Sequence, residues 1–243
     1  MKENRLVMKS RFYSANEITS ATATLSDQEA HHLLHVMRGK VGDEVTLFDG
    51  SGWEFAAKIS QLGRSDVTLE VTEKKKVDRE RQLPLTIAVA LPKGDRQRVL
   101  IEKCVELGVT TVIPLATERS VAMPKDKSLE KLRRAVIEAS KQCGRNRLME
   151  IPSGMQLEAL LQQPPGSESQ LRVLADPAGA ASLADLTSEK DATPNSIVVA
   201  IGPEGGFSES ELEMAEDAAW RTLNLGPRIL RIETAAIALA ARL

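Results

Sequence analysis

The feature that most restricts how this chain can fold is a pair of glycine-proline turns near its C-terminus. They are Ile201-Gly202-Pro203-Glu204-Gly205-Gly206-Phe207-Ser208 and Leu225-Gly226-Pro227-Arg228-Ile229-Leu230-Arg231-Ile232-Glu233-Thr234-Ala235. The β-branched run Ile197-Val198-Val199-Ala200-Ile201 predicts a buried parallel strand ahead of the first turn, and Ser208-Glu209-Ser210-Glu211 has capping-box spacing after it. A strand therefore passes through a glycine turn into a helix. Glycine accepts positive φ and lets a ligand approach the main chain, while Pro203 fixes one φ among the glycines. The second stretch repeats the device: Thr222 to Leu225 reads as a short strand, Gly226-Pro227 as a turn, and Thr234 as the cap of an alanine-rich helix from Ala235 to Ala241. Two such turns on neighbouring strands can face one ligand at the carboxyl ends of a parallel sheet. Either alone would be punctuation between elements. Together, with Arg228, Arg231 and Glu233 crowded into the second, they argue for a binding site.

The chain before these turns continues the pattern. Leu85 to Leu91 predicts a buried strand, a helix follows with Leu100, Ile101, Cys104 and Val105 on one face, and Val109 to Pro114 predicts another strand. Strand, helix, strand implies a parallel α/β arrangement. Lys93-Gly94-Asp95-Arg96 follows the first strand, where a substrate contact or a plain surface loop fits equally. A helix from about Leu129 to Gln142 ends at Gly144, and Leu171 to Ala175 predicts a strand whose residue Leu174 precedes a further loop, 177 to 196. Around that helix Arg133, Arg134, Lys141, Arg145 and Arg147 outnumber Glu138, which suits RNA and suits a helix C-terminus.

Residues 1 to 77 read as a separate β-rich domain. Ser26-Asp27-Gln28-Glu29 predicts a capped helix carrying Ala30, Leu33, Leu34 and Met37, then Val45 to Phe48 and Trp53 to Ile59 form a hairpin, and Asp66 to Val71 alternates as a strand. Lys74 to Gln82 reads as a charged linker, with a second domain over 82 to 243. His31, His35 and Arg38 form a polar stripe that is either solvated or set against RNA, and a metal site is not expected because no third ligand follows. Arg11 with Phe12 and Tyr13 offers charge and stacking.

A net charge of −2 does not announce a nucleic-acid binder, so any RNA site must arise from local clustering. Cys104 and Cys143 lack ligand or disulfide spacing and read as reduced thiols. No apolar run could cross a bilayer, and Met1 to Lys9 is too polar for a signal-peptide core, so a cytoplasmic location without membrane contact is expected.

The paired Ile-Gly-Pro-Glu-Gly-Gly and Leu-Gly-Pro-Arg-Ile-Leu-Arg-x-Glu-Thr-Ala motifs resemble the RsmE family, the 16S ribosomal RNA uracil-N3 methyltransferases of the SPOUT superfamily. Glu138 to Arg147 resembles that family's Glu-x-x-x-Gln-Cys-Gly-Arg-Asn-Arg pattern, and Arg11-Phe12-Tyr13, His35 to Arg38 and Leu47 to Gly50 resemble its N-terminal region. Ile232 departs from it, where a small or hydroxyl residue is frequent. The resemblance implies an α/β fold, a SPOUT-type parallel sheet with a C-terminal trefoil knot, joined to a PUA-like RNA-binding barrel. It implies S-adenosyl-L-methionine held by Leu174, Ile201, Gly202, Pro203, Glu204, Gly205, Gly206, Leu225, Gly226, Arg228, Ile229, Leu230 and Thr234, and a homodimer acting on 16S rRNA or the small ribosomal subunit. Arg11, Arg38, Lys93, Arg145, Asn146 and Arg147 would contact RNA, and Arg231 would stabilise charge developing on the uracil. Other readings are a related methyltransferase with another rRNA or tRNA target, or a non-catalytic RNA-binding ribosome-assembly protein. A nucleotide-phosphate enzyme is disfavoured by the lack of a GxGxxG or P-loop lysine motif.

Overall fold

The computed structural model describes residues 10–120, 123–182, 185 and 194–243; the polar N-terminal run and part of the 177 to 196 loop lie outside the described residues. The chain divides into two units, one of Met1–Glu80 with Ser140–Leu148 and one of Arg81–Ala139 with Met149–Leu243.

In the first unit β1 (Arg11–Tyr13), β2 (Thr22–Leu25), β3 (Glu44–Phe48), β4 (Trp53–Leu62) and β5 (Val67–Lys76) make a sheet ordered β1-β3-β4-β5-β2. The β1–β3 pair is parallel and the other three pairs are antiparallel. Alternate residues turn inward, so Phe12, Leu25, Val45, Leu47, Phe55, Ile59, Val67 and Leu69 share one core with Ala30 and Leu33 of the helical segment. That segment is α1 (Asp27–His31) continued by a π-helical turn, His32–Val36.

Two local expectations change here. Lys74 to Lys76 belong to β5 rather than to a linker, because β4 offers them partners: Phe55 lies opposite Lys74, and the Lys74 ammonium sits 4.6 Å from the Trp53 ring centre. The capping box at Ser26 does not form. Its Glu29 carboxylate instead accepts the Tyr13 backbone N–H at 3.1 Å and the Lys141 ammonium at 2.8 Å, two donors that outcompete a local cap.

The second unit is a parallel sheet. Its strands are β6 (Leu85–Val89), β7 (Thr111–Ala116), β8 (Met155–Gln156), β9 (Gln170–Ala175), β10 (Ala181–Ser182), β11 (Ser196–Ile201) and β12 (Arg221–Asn224), ordered β10-β12-β9-β11-β6-β7-β8. The central strands are nearly continuous apolar runs buried on both faces, as a parallel sheet requires. Helix α4 (Leu157–Leu161) and helix α5 (Glu209–Asp217) cover a core of Leu115, Leu160, Leu174, Ala200, Phe207 and Trp220. Helix α2 (Asp95–Glu106) buries Leu100, Ile101, Cys104 and Val105, the face the periodicity predicts, and burial pushes the Cys104 thiol up to about 12. Helix α3 (Asp126–Cys143) begins in this unit, and its residues from Ser140 onward count with the first.

The last helix, α6 (Ile232–Arg242), starts before the expected Thr234 cap, with Arg231 in the cap position. The reason is packing: Ile232, Ala235, Ala236, Leu239 and Ala240 are all buried, so the apolar stripe begins a turn earlier than the alanine run suggests. Helix α6 packs on β6, β11 and α2, although β12, the strand before it, lies outside β9. Residues 225–231 therefore lead from β12 past β9 to β11, along the edge of the sheet that also carries the first glycine turn.

Candidate functional site

The register of the sheet assembles the site. Ile201 pairs with Ala175, and Leu223 also pairs with Ala175, so the loops after β9, β11 and β12 leave the sheet side by side. The Gly206 N–H donates to the Pro203 carbonyl at 2.9 Å, closing a tight turn with Glu204 and Gly205 at its tip. Gly206 has φ +70°, and open space surrounds the position a Cβ would take. Gly226 has φ +105° with the same open space, its N–H donating to the Asn224 side-chain oxygen at 3.3 Å. Both positions favour glycine and leave the backbone accessible.

Three predicted residues have structural duties. Leu174 is fully buried in the core, so only its backbone and the loop after it can face a ligand. Ile201 is buried at the end of its strand, and a Cβ on Gly202 would lie 3.1 Å from the Phe207 ring. Gly202 is thus set by close packing of Phe207. Gly205, Arg228 and Thr234 are exposed, Pro203, Leu225 and Leu230 are half-buried, and Ile229 is 85% exposed at the tip of the second loop. An aliphatic side chain so open, beside half-buried leucines and bare glycine backbone, suits the flat faces of an adenine ring.

The sequence reading missed Arg119. The Arg119 guanidinium donates to the Gly205 carbonyl at 2.8 Å and the Phe207 carbonyl at 3.2 Å, holding the turn from outside. Glu211 completes the expected capping box with Ser208, and its other oxygen accepts the Glu118 N–H at 2.8 Å. Glu211 carries a readable signal, the Ser-x-x-Glu spacing; Arg119 carries none, because its carbonyl acceptors are distant in the chain. Glu204 is exposed and lies 3.1 Å from the Arg96 guanidinium.

Beside the first turn, on its β6 and β7 side, a cleft of about 530 Å³ opens. Leu91, Pro114, Leu115, Met123 and Ile232 give it an apolar lining. Lys93, Arg96, Lys125 and Glu204 bring charge to it. Lys93, on the loop after β6, lines this cavity, whereas Arg231 is exposed and outside this lining.

In the first unit the RNA candidates separate by burial. Arg38 and Arg147 are exposed. Arg145 is 3% and Asn146 2% exposed, which departs from the expectation of direct RNA contact. Arg145 is closed by Glu80 through contacts of 2.6 to 3.0 Å, and Asn146 donates to the Val77 carbonyl at 3.0 Å and accepts from Arg11. Arg11 is also held inside, 2.7 Å from Glu54 and with its guanidinium over the Phe48 ring. Burial pushes the Glu54 carboxyl up, but hydrogen bonds and charge from Arg11 and Arg79 outweigh it, leaving Glu54 below its ordinary value.

A depressed value in the folded protein means that the unfolded chain takes up the proton first. The stabilisation is complete above the unfolded value of about 4.3 and is lost as pH falls through the folded one. Glu54→Gln is accordingly expected to lower Tm at pH 7, by roughly 2–4 °C for each kcal/mol lost, and to flatten the fall of Tm in acid. Identical acid sensitivity in the two proteins would contradict this.

Comparison with known proteins adds an independent line. The family model for the RNA methyltransferase domain matches residues 79–243, and the model for the RNA methyltransferase PUA domain matches residues 25–72. The chain is 34% identical over 230 residues to ribosomal RNA small subunit methyltransferase E of Synechocystis, covering 94% of this chain and 75% of that protein. It is 32% identical to the protein of the same name from Rickettsia conorii, covering 98% and 93%. A crystal structure of a ribosomal RNA small subunit methyltransferase E from Neisseria gonorrhoeae, bound to S-adenosyl methionine, superposes with a TM-score of 0.86 at 31% identity, covering 96% and 95%.

Proposed function

The chain belongs to the ribosomal RNA small subunit methyltransferase E family, whose members are S-adenosylmethionine-dependent, and from that premise we propose that it methylates N3 of one uridine in 16S rRNA. The observation that carries the reading is the pair of glycine turns that leave β11 and β12 at the same end of the sheet, on either side of β9. Gly206 and Gly226 leave bare backbone, and Leu225, Ile229 and Leu230 leave apolar surface, a set that fits the cofactor. Bound there, the cofactor supplies a methyl group already activated by its sulfonium.

The work left to the protein is alignment and charge stabilisation. Uracil N3 carries a proton at neutral pH, and as it leaves, negative charge spreads onto the ring oxygens. Arg231, exposed at the start of α6 and directly after the second loop, supplies positive charge on the substrate side. Arg38, Arg147 and Lys93 are the accessible RNA contacts among the candidates. The path of residues 225–231 from β12 past β9 to β11 supports a trefoil knot, and the family supports a homodimer acting in the cytoplasm on the small subunit; no described helix is long and apolar enough to cross a membrane.

The direct test is methyl transfer to small subunits lacking the modification, with the product base identified by mass spectrometry. 3-Methyluridine at a single position is expected, and a different methylated base would refute the target. Arg231→Ala is expected to lower kcat about 10²-fold while cofactor affinity, measured by calorimetry, is kept. Unchanged kcat would remove Arg231 from the chemistry.

A further inference from the structure

Next in the chain to Ile232, which lines the cleft, stands a buried carboxylate with one oxygen that has no hydrogen bond among the described residues. Glu233, in the first turn of α6, is 9% exposed, and its Oε2 has no hydrogen-bond partner among the described residues. Burying a carboxylate in this way is costly unless a cation stands by. The cation is Arg96, whose Nη1 lies 3.7 Å from Glu233 Oε2 and 3.1 Å from Glu204 Oε1. One guanidinium is thus drawn between two carboxylates, one on the glycine turn and one buried beneath. Arg96 also lines the cleft, and its side chain is 35% exposed there.

The cleft has the volume of a small-ligand site and an apolar floor, with Lys93 and Lys125 adding positive charge. It shares Pro203 and Glu204 with the turn assigned to the cofactor, so whatever occupies it abuts that site. A single nucleotide extruded from its RNA is the substrate class this shape and charge accommodate: a flat base on the apolar lining, and a phosphate near the lysines. Building on the methyltransferase reading above, we propose that this cleft seats the target uridine, that Arg96 faces its ring oxygens as a further catalytic residue, and that Glu233 is the positioning residue that holds Arg96 there.

The balance of the step is simple. The N3 proton passes to solvent, the N3 electron pair forms the new N–C bond, and the C–S bond breaks with its pair kept by sulfur. Arg96 stabilises the negative charge on the ring oxygens while the proton leaves. Glu204 and Glu233 share this guanidinium, so a base that enters beside Arg96 displaces the exposed Glu204 and leaves the buried Glu233 as the anchor.

The test uses the full-length protein and unmodified small subunits. Arg96→Ala is expected to lower kcat about 10²-fold and shift the pH–rate profile to higher pH, with S-adenosylmethionine affinity unchanged, and Arg96→Lys to recover part of the loss. Glu233→Gln, which keeps the side-chain shape, is expected to lower kcat about tenfold with the same upward shift in the profile. Unchanged kcat in Arg96→Ala, or a loss confined to cofactor affinity, overturns the proposal. Should the wild-type protein transfer no methyl group, the functional reading fails, and photocrosslinking of an oligoribonucleotide carrying 4-thiouridine decides the cleft separately. Adducts at Met123 or Lys125 support it; adducts confined to other residues overturn it.

Discussion

Gly226→Val is expected to weaken S-adenosylmethionine binding by at least roughly 30-fold in a protein that remains folded. Gly226 stands at φ +105°, a conformation that a β-branched residue resists, and the space over its Cα is open. Valine would therefore strain the second loop and also fill the room intended for a ligand. Backbone strain of this kind is about 1–3 kcal/mol, and an intruding side chain adds about 1–3 more. At about 1.4 kcal/mol for each tenfold, the lower sum already gives the stated loss. Folding is spared because Gly226 is exposed and outside the core. Gly205→Ala is the informative contrast. Its Cβ would meet only the Arg119 side chain, at 3.5 Å, and its φ lies outside the left-handed region, so affinity should change by a few-fold at most. Calorimetric titration of both variants checks this, and equal losses at the two positions would mean that glycine identity, not backbone geometry, is being read.

That contrast also marks what the sequence made legible. Both glycine turns, the buried strands and the α2 face could be read because each is a local pattern: a turn residue beside a β-branched run, or an apolar period of 3.6. The reason for each glycine could not. Gly202 yields to the Phe207 ring, whereas Gly206 and Gly226 hold a left-handed backbone, and only coordinates separate these cases. The start of α6 was misread for a similar reason, since the burial of Ile232 depends on β6, β11 and α2, far away in the chain. Arg96 fell on a predicted site loop, but its two carboxylate partners are distant in sequence, so the cleft it lines was not legible.

The Arg145-Asn146-Arg147 run shows the same limit in its sharpest form and carries the second large effect. A run of basic residues after a helix cap reads as a phosphate site, yet Arg145 has a side chain only 4% exposed and is bound by Glu80. Removing one partner of a buried ion pair strands the other charge. Glu80→Ala, which removes the carboxylate that meets the buried Arg145 guanidinium, is expected to destabilise the protein by about 3–5 kcal/mol. Arg145→Ala should cost less, because the Glu80 side chain is 21% exposed and water can reach it. Neither change alters the number of phosphates contacted, so the slope of RNA affinity against salt should match that of the wild-type protein under conditions where the variant is folded. Arg147→Ala should do the reverse. It lies exposed, so stability should hold, while the salt slope falls by about one charge if phosphate is what it meets. Denaturant melts and salt titrations of the three variants separate a side chain that builds the first unit from one that meets RNA. A stable Arg145→Ala with a reduced salt slope would return Arg145 to the RNA surface.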